Sequence, residues 1–546
     1  MRSLAAALLA LLFSAFPACT QEKPEPKQAA DLSLTVVGRQ HHPIHTNSKE
    51  TQGYFDQGIT LIYGFNHEQA ALAFQKAAEL DPSSPMPLWG IALAVGPNYN
   101  LNVDADREKL AFETIQKAKT LAAHGPQAEQ DYVGALATRY SGDANPDYKK
   151  LSHDYAMAMK ALSEKYPDDL DAATMYSESL MDLHPWKLWT ADGNPGEDTQ
   201  EIIRVLESVL ARDPNHAGAN HYYIHAVEAS PHPDRALMSA QRLNTMVPKA
   251  GHLVHMPAHI YERTGDYESA LRSNEEAAKV DREYAEKAKQ TGSIYDLMYH
   301  SHNEHFAAMA ASMAGNYSVA RKYAEGMKER LMPHAAAMPM LDAFIMTPIW
   351  VDVRFSKWKE ILARPEPARE LAGTHAMWRY SRAVAFAQLE KVADAEREKD
   401  LFAREIAVFP PDAMLGEQNK ARDVLGIAMQ VIEARIATAK SQNEEAMAHW
   451  QGAVALQDKL NYDEPADWYY PVRESLGGAL LKAGKAPEAE RVFRADLVEY
   501  PRNPRSLFGL KEALRAQGKE SDAVWIEKSY EAGWKNADTK LSVAEL

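Results

Sequence analysis

Apolar residues along the chain recur at steps of three and four in segments of about a dozen, and Pro, Gly, Asn or Asp stand at the breaks. That period predicts amphipathic helices, and strand-like alternation is rare. The first clear unit carries Tyr54, Gly58, Ala70, Phe74, Ala77 and Pro82. With Ala70 set as position 20 of a 34-residue unit, they fall at positions 4, 8, 20, 24, 27 and 32. Small residues at 8 and 20 let two helices approach closely, aromatics fill the gaps between hairpins, and proline at 32 stops the second helix. The alanines at position 20 continue as Ala236, Ala270 and Ala320, 34 and 50 residues apart, with Leu243, Ala277 and Met327 at position 27. The second interval is one unit plus 16 residues, placed around 281–294. Late in the chain Leu476/Leu510, Leu480/Leu514, Gly484/Gly518 and Ala489/Ala523 are again 34 apart. Residues 333–373 are rich in Met, Pro and Trp and break the register. The pattern therefore predicts an all-α solenoid of antiparallel helix pairs, roughly eight to ten. An array over 51–332 and another over 374–535 flank that irregular connection, and 536–546 form a tail.

A 34-residue helical hairpin is the tetratricopeptide (TPR) period. The runs Tyr63-Gly64-Phe65-Asn66-His67, Asn220 to Glu228, His255 to Tyr261 and Asp467 to Gly477 resemble a family of bacterial TPR lipoproteins, largely uncharacterised. The resemblance spans about residues 50 to 515. It implies the fold and names no reaction. It also implies that the first helix of each repeat lines a concave groove, with positions 2, 5, 9 and 12 pointing into it.

In that register position 5 is His221, His255 and His305, and position 9 is His225, His259 and Met309. Position 2 is Gly218, His252 and His302, and position 12 is Glu228, Glu262 and Ser312. Seven of the nine slots at positions 2, 5 and 9 are His, although alanines and prolines set the register. Neighbouring helices pack about 8–10 Å apart, so these imidazoles can converge on a transition metal. Imidazole suits Cu, Zn or Fe. Seven exceed what one ion needs, so two ions bind, or some rings orient others or touch substrate. Glu228 and Glu262 are candidate orienting groups or acid–base groups beside a metal-bound water. Other polar His residues fit blander roles: His216 and His232 as helix-end caps, His300 off the row, His67 on a second helix. His184 sits in a Trp-bearing loop (184–198) that can close over the groove.

Further ligand contacts are expected from Arg473, as a bidentate carboxylate holder, and from Glu474, Tyr222 and Tyr261; an aromatic packing seam is the alternative. The methionines of 332–346 follow no tight motif and read as packing.

The start changes the setting. Arg2, an apolar run from Leu4 to Phe16 and then Cys19 match a bacterial lipoprotein signal (1–18), with Cys19 lipidated. Ordinary secretion is the alternative. Residues 19–50 read as a flexible tether with an early strand at 32–37 and a loose cluster of His41, His42 and His45. The expected place is the cell envelope, at the outer membrane facing the periplasm. Cys19 is the single cysteine, so no disulfide and no thiolate metal site form within the chain. Net charge is −16 without a basic stripe, so nucleic acid is not an expected partner. No phosphate-binding Gly loop, His-Glu-x-x-His helix or Gly-x-Ser-x-Gly elbow occurs. The functional expectation is an exported solenoid that binds a transition metal, with oxygen or hydrolytic chemistry open to it. A metal-free adaptor for peptide, protein or small-molecule partners and a metal storage or delivery protein are the competing readings.

Overall fold

The computed structural model describes residues 40–289, 291–416 and 418–546. The signal, Cys19, most of the tether and the expected strand at 32–37 lie outside the described residues. Among the described residues, helices follow one another from Lys49–Tyr63 to Glu520–Gly533 as twelve antiparallel pairs. Among the described residues there are only isolated β-bridges. The fold is a TPR-like α-solenoid. The pairs outnumber the expected eight to ten because several helices are short, such as Met86–Val95 and Trp358–Ala363. The stretch expected to be an irregular connection holds one such pair, Thr347–Arg354 and Trp358–Ala363.

The packing follows the sequence logic closely. Phe74 lies between Gly58 and Gly90, where any Cβ would come within 2.4–2.5 Å of its ring. Phe493 lies likewise between Gly477 and Gly509. A glycine at position 8 and another 32 residues later thus make the slot for the aromatic at position 24. Ala70, Ala236, Ala270 and Ala320 are fully buried. Asn66, Asp266 and Asn316 cap second helices by accepting from the backbone N–H three residues on. The inserted residues lengthen one second helix to Tyr267–Lys287 and add a π-helical turn, Asp296–His300, before the Ser301–Met313 helix.

The end of the expected tether is docked. His42 is buried with Nδ1 2.9 Å from Asp171 Oδ2, Gln40 donates to Asp171 Oδ1 at 2.8 Å, and Thr46 donates to Asp81 at 2.6 Å. His42 and His45 therefore serve attachment: the His45 backbone N–H donates to Glu129. His41 pairs with Asp56 at 2.7 Å.

The superhelix closes on itself. The C-terminal pairs pack against the helices of residues 257–354. Gly265, at φ +79°, leaves no room for a Cβ beside Pro501 O, and Gly315, at φ +79°, sits under the Trp534 ring. Asp538 accepts from the backbone N–H of Tyr317 and Ser318. Glu474 is buried in this seam. Its carboxylate accepts from Arg354 at 3.0 and 3.1 Å, from Arg505 Nε at 2.7 Å and from Asn503 at 2.8 Å. This corrects the groove-ligand reading of Glu474, whose oxygens are committed to closing the ring. Arg473 is likewise taken, by Asp458 at 2.7 and 2.6 Å. Glu474→Ala leaves two buried guanidiniums short of their anion. We expect a loss of about 3–5 kcal/mol in urea unfolding, because only one partner of the buried group is removed.

Candidate metal centre

The histidine rows lie between the large apolar core of residues 55–260, which holds Phe65, and a smaller cluster over residues 258–351, which holds Phe306. The Ala217–Val227 helix presents His221 and His225 one turn apart. The next first helix is broken at Met256, because Pro257 has no N–H to give the preceding turn. Its two parts, Gly251–His255 and Pro257–Arg263, present His252, His255 and His259. The Ser301–Met313 helix adds His302.

Six rings fall into two sets of three. His221, His225 and His252 form one and His255, His259 and His302 the other; within each, three donor atoms lie within 4.8 Å of one another. Each set takes positions 5 and 9 of one repeat and position 2 of the next, so the 34-residue repeat generates the same site twice. The sets are adjacent, with ring centroids of His225 and His259 5.4 Å apart and those of His252 and His255 5.7 Å apart. A third set would need His at position 9 of the following repeat, where Met309 stands. His305 accordingly does not join: its ring stacks on Tyr469 at 5.5 Å and meets Phe344 edge-on.

The ring tautomers are set by what Nδ1 touches. His221 Nδ1–H donates to the Tyr63 carbonyl at 2.6 Å. His225 Nδ1–H donates to Glu228 Oε1 at 2.7 Å. His255 Nδ1–H donates to Asn274 Oδ1 at 2.6 Å, and Asn274 is held in that orientation by donating its own NH2 to Ala270 O at 2.8 Å. His259 Nδ1–H donates to Glu228 Oε2 at 2.5 Å and to Glu464. One carboxylate, Glu228, thus ties a ring of each set. With Nδ1 occupied, Nε2 carries the free lone pair. His225 Nε2 is buried without a hydrogen-bond partner. Nε2 of His221 and His252 face each other at 3.1 Å, and those of His255 and His259 at 2.6 Å. His225, Glu228, His259 and Glu464 also group closely enough to ring a cation. Their contacts are already hydrogen bonds from Nδ1, which leaves the Nε2 sides as the vacant coordination positions.

Burial decides most of the charges. Five of the six rings are at most 4% exposed, and His302 is partly buried. Desolvation holds His221, His252 and His255 well below the usual imidazole range and takes His225 and His302 to about 3, so they are neutral. His259 goes the other way. Burial disfavours its charge, but the Glu464 and Glu228 carboxylates outweigh that and raise it to about 10. A proton on His259 then bridges to His255 Nε2 in the place a metal would take. The sign for stability follows. The folded His259 sits above its ordinary 6.5, so its contribution is complete below about 6.5 and lost as pH rises through about 10. The five lowered rings act oppositely and cost stability as pH falls below about 6.5. Metal-free protein is expected to melt highest near pH 6.5, and thermal melts across that range check it.

Apolar rings wall both sets. Phe65 lies 4.5, 5.8 and 5.3 Å from His221, His225 and His252; Phe306 lies 4.8, 4.8 and 4.9 Å from His255, His259 and His302. Tyr99 and Trp186 cover His225, and Tyr299 of the π-helical turn meets His252 edge-on at 5.1 Å. The Trp-bearing loop thus closes over the row through Trp186, while His184 pairs with Asp198 of its own loop at 3.0 Å. Glu262 stands one turn beyond His259 with Oε2 buried and unpartnered, and burial raises its carboxyl to about 8. Tyr222 is buried in the first core, and Tyr261, partly buried, packs at its edge. His216 caps the Ala217–Val227 helix by accepting from Ala219 N–H at 3.1 Å. His300 bonds Asp296 at 2.9 Å, away from the sets.

Sequence reasoning missed Glu464, Asn274, Tyr63 and Phe65. Asn274 had a signal, a polar residue at position 24 where Phe74 and Phe493 stand in other repeats. Glu464 had none, since its loop lies 205 residues from His259.

No family model and no curated protein matches the sequence. Solved structures align along most of their length. Yeast Tom70 aligns at a TM-score of 0.32 and 13% identity, over 88% of this chain and 99% of that one. A human IFIT1 dimer with m7Gppp-AAAA aligns at 0.35 and 12%, over 84% and 91%. The APC/C hetero-tetramer Cut9-Hcn1 aligns at 0.29 and 13%, over 91% and 95%. At such scores these likenesses carry no argument, and the fold rests on the helix pairs themselves.

Proposed function

We propose that the protein is a metalloprotein whose solenoid holds a pair of transition-metal ions, each bound by three imidazoles. The observation that supports this best is the arrangement of lone pairs. Four rings are fixed through Nδ1 by acceptors from four different segments, which leaves Nε2 atoms facing one another at 3.1 and 2.6 Å. His225 Nε2 is moreover buried without any hydrogen-bond partner, which packing alone leaves as a cost. Three nitrogen ligands per ion leave a coordination position open, the arrangement of a catalytic rather than a closed structural site. Open positions and two adjacent ions favour chemistry on a small ligand over storage. In this reading the chain is exported and tethered through Cys19 to the cell envelope.

Adding Cu, Zn or Fe ions to metal-free protein tests the reading. Each of the two ions that bind is expected to stabilise the fold by about 2.7 kcal/mol at a hundredfold excess over its Kd, and His305→Ala is expected to keep that gain. No stabilisation by any of the three ions would leave the metal reading without support.

A further inference from the structure

A cavity of about 30 Å³ lies in the C-terminal half of the solenoid, and none of the histidines lines it. It sits where the helices Ala372–Gln388, Ala421–Ala439 and Val472–Lys482 meet the segment that carries Trp468 and Tyr470. Tyr380, Val384, Val431, Trp450, Trp468 and Tyr470 give it a mainly aromatic and apolar wall. Three guanidiniums also line it, those of Arg354, Arg435 and Arg505, against two carboxylates, Glu474 and Glu545.

Both carboxylates are engaged. Glu474 binds Arg354, Arg505 and Asn503. Glu545 accepts from the Ser542 backbone N–H at 2.7 Å and from its hydroxyl at 2.9 Å. Arg435 is left over. Among the described residues no side-chain carboxylate pairs with it. Its Nη2 has only Ser475 Oγ at 3.2 Å and Leu546 O at 3.4 Å, at and beyond the long end of N–H···O hydrogen bonds. Its guanidinium lies 4.8 Å from the centre of the Trp450 ring. Its Nε is buried without a partner, and so is Nε1 of the fully buried Trp468. Arginine stays charged in proteins, and a buried charge or donor without a partner is costly.

These features define what would complete the site. One unpaired guanidinium calls for one negative charge. Nε and Nη2 form the side-on fork that a planar carboxylate takes bidentately. Trp468 offers a further N–H, and the walls accept a short alkyl group. A water needs about 10–15 Å³ of such space, so the cavity suits a molecule the size of two or three waters. We infer that it is a binding site for a small monocarboxylate, of formate or acetate size, held by Arg435.

The test is a calorimetric titration of the full chain, in buffer free of carboxylates and poor in chloride, with acetate, formate, chloride and sulfate in separate runs. The expected result is one saturable equivalent of acetate or formate, with chloride weaker and sulfate, tetrahedral and doubly charged, not bound. Arg435→Lys keeps the charge and loses the fork, and acetate affinity should fall about tenfold or more. Should that variant not fold, Val431→Leu adds a methylene to the wall and should weaken acetate more than formate. No saturable binding of either carboxylate would overturn the inference. So would chloride or sulfate binding as tightly as acetate, or an acetate affinity unchanged in Arg435→Lys.

Discussion

Glu228→Ala is expected to weaken both metal ions at once. The side chain accepts Nδ1–H from His225 of one set and from His259 of the other. Losing such an orienting carboxylate typically costs 10–100-fold in metal affinity, and here the loss should appear at each of two ions. His259 keeps Glu464 as a second acceptor, so the weaker effect belongs on its set and the stronger on the set of His225. The metal-free fold should suffer as well, by about 1–3 kcal/mol, since the buried His225 Nδ1–H loses its acceptor while His259 keeps Glu464. Competition with a chelator reads both affinities. Glu262→Ala is the control. Glu262 holds position 12 as Glu228 does, but its Oε2 is unpartnered, so its loss should change neither affinity by as much as tenfold. Equal effects from the two variants would mean that Glu228 does not act through the rings.

The second large effect is on stoichiometry. His221→Ala/His225→Ala removes positions 5 and 9 from one set and should leave a single ion in the other; His255→Ala/His259→Ala should do the converse. Glu228 is intact in both variants and still accepts from the ring of the remaining set, so that ion should stay bound. Loss of both ions from either variant would show one mixed site rather than two. Elemental analysis of the folded variants distinguishes these outcomes, with circular dichroism to confirm that the helices persist.

The repeat makes this centre legible in the sequence. Alanines at position 20 fix the register, and the register brings His221, His225, His252, His255, His259 and His302 to one face. The same logic over-counts. His305 holds position 5, but a site needs position 9 and the next repeat as well, and Met309 breaks the set. Long-range closure is not legible. Glu464, Glu474 and Arg473 lie in or beside a loop that reads locally as a repeat boundary. Only the superhelical turn brings Glu464 against His259 and Glu474 between Arg354 and Arg505. The expected open groove is consequently a buried seam at the histidines, with Tyr462 donating to Glu228 at 3.4 Å across the gap. Periodic helix patterns report which face of a helix is buried and say little about which distant helix covers it.

The most direct measurement is the metal content of the wild-type chain, purified without a metal-affinity column and dialysed against each ion in turn. Two equivalents of one transition metal, retained through gel filtration, is the result these sites predict. No retained metal from copper, zinc or iron would contradict the two-ion centre, and one equivalent would contradict the equivalence of the two sets.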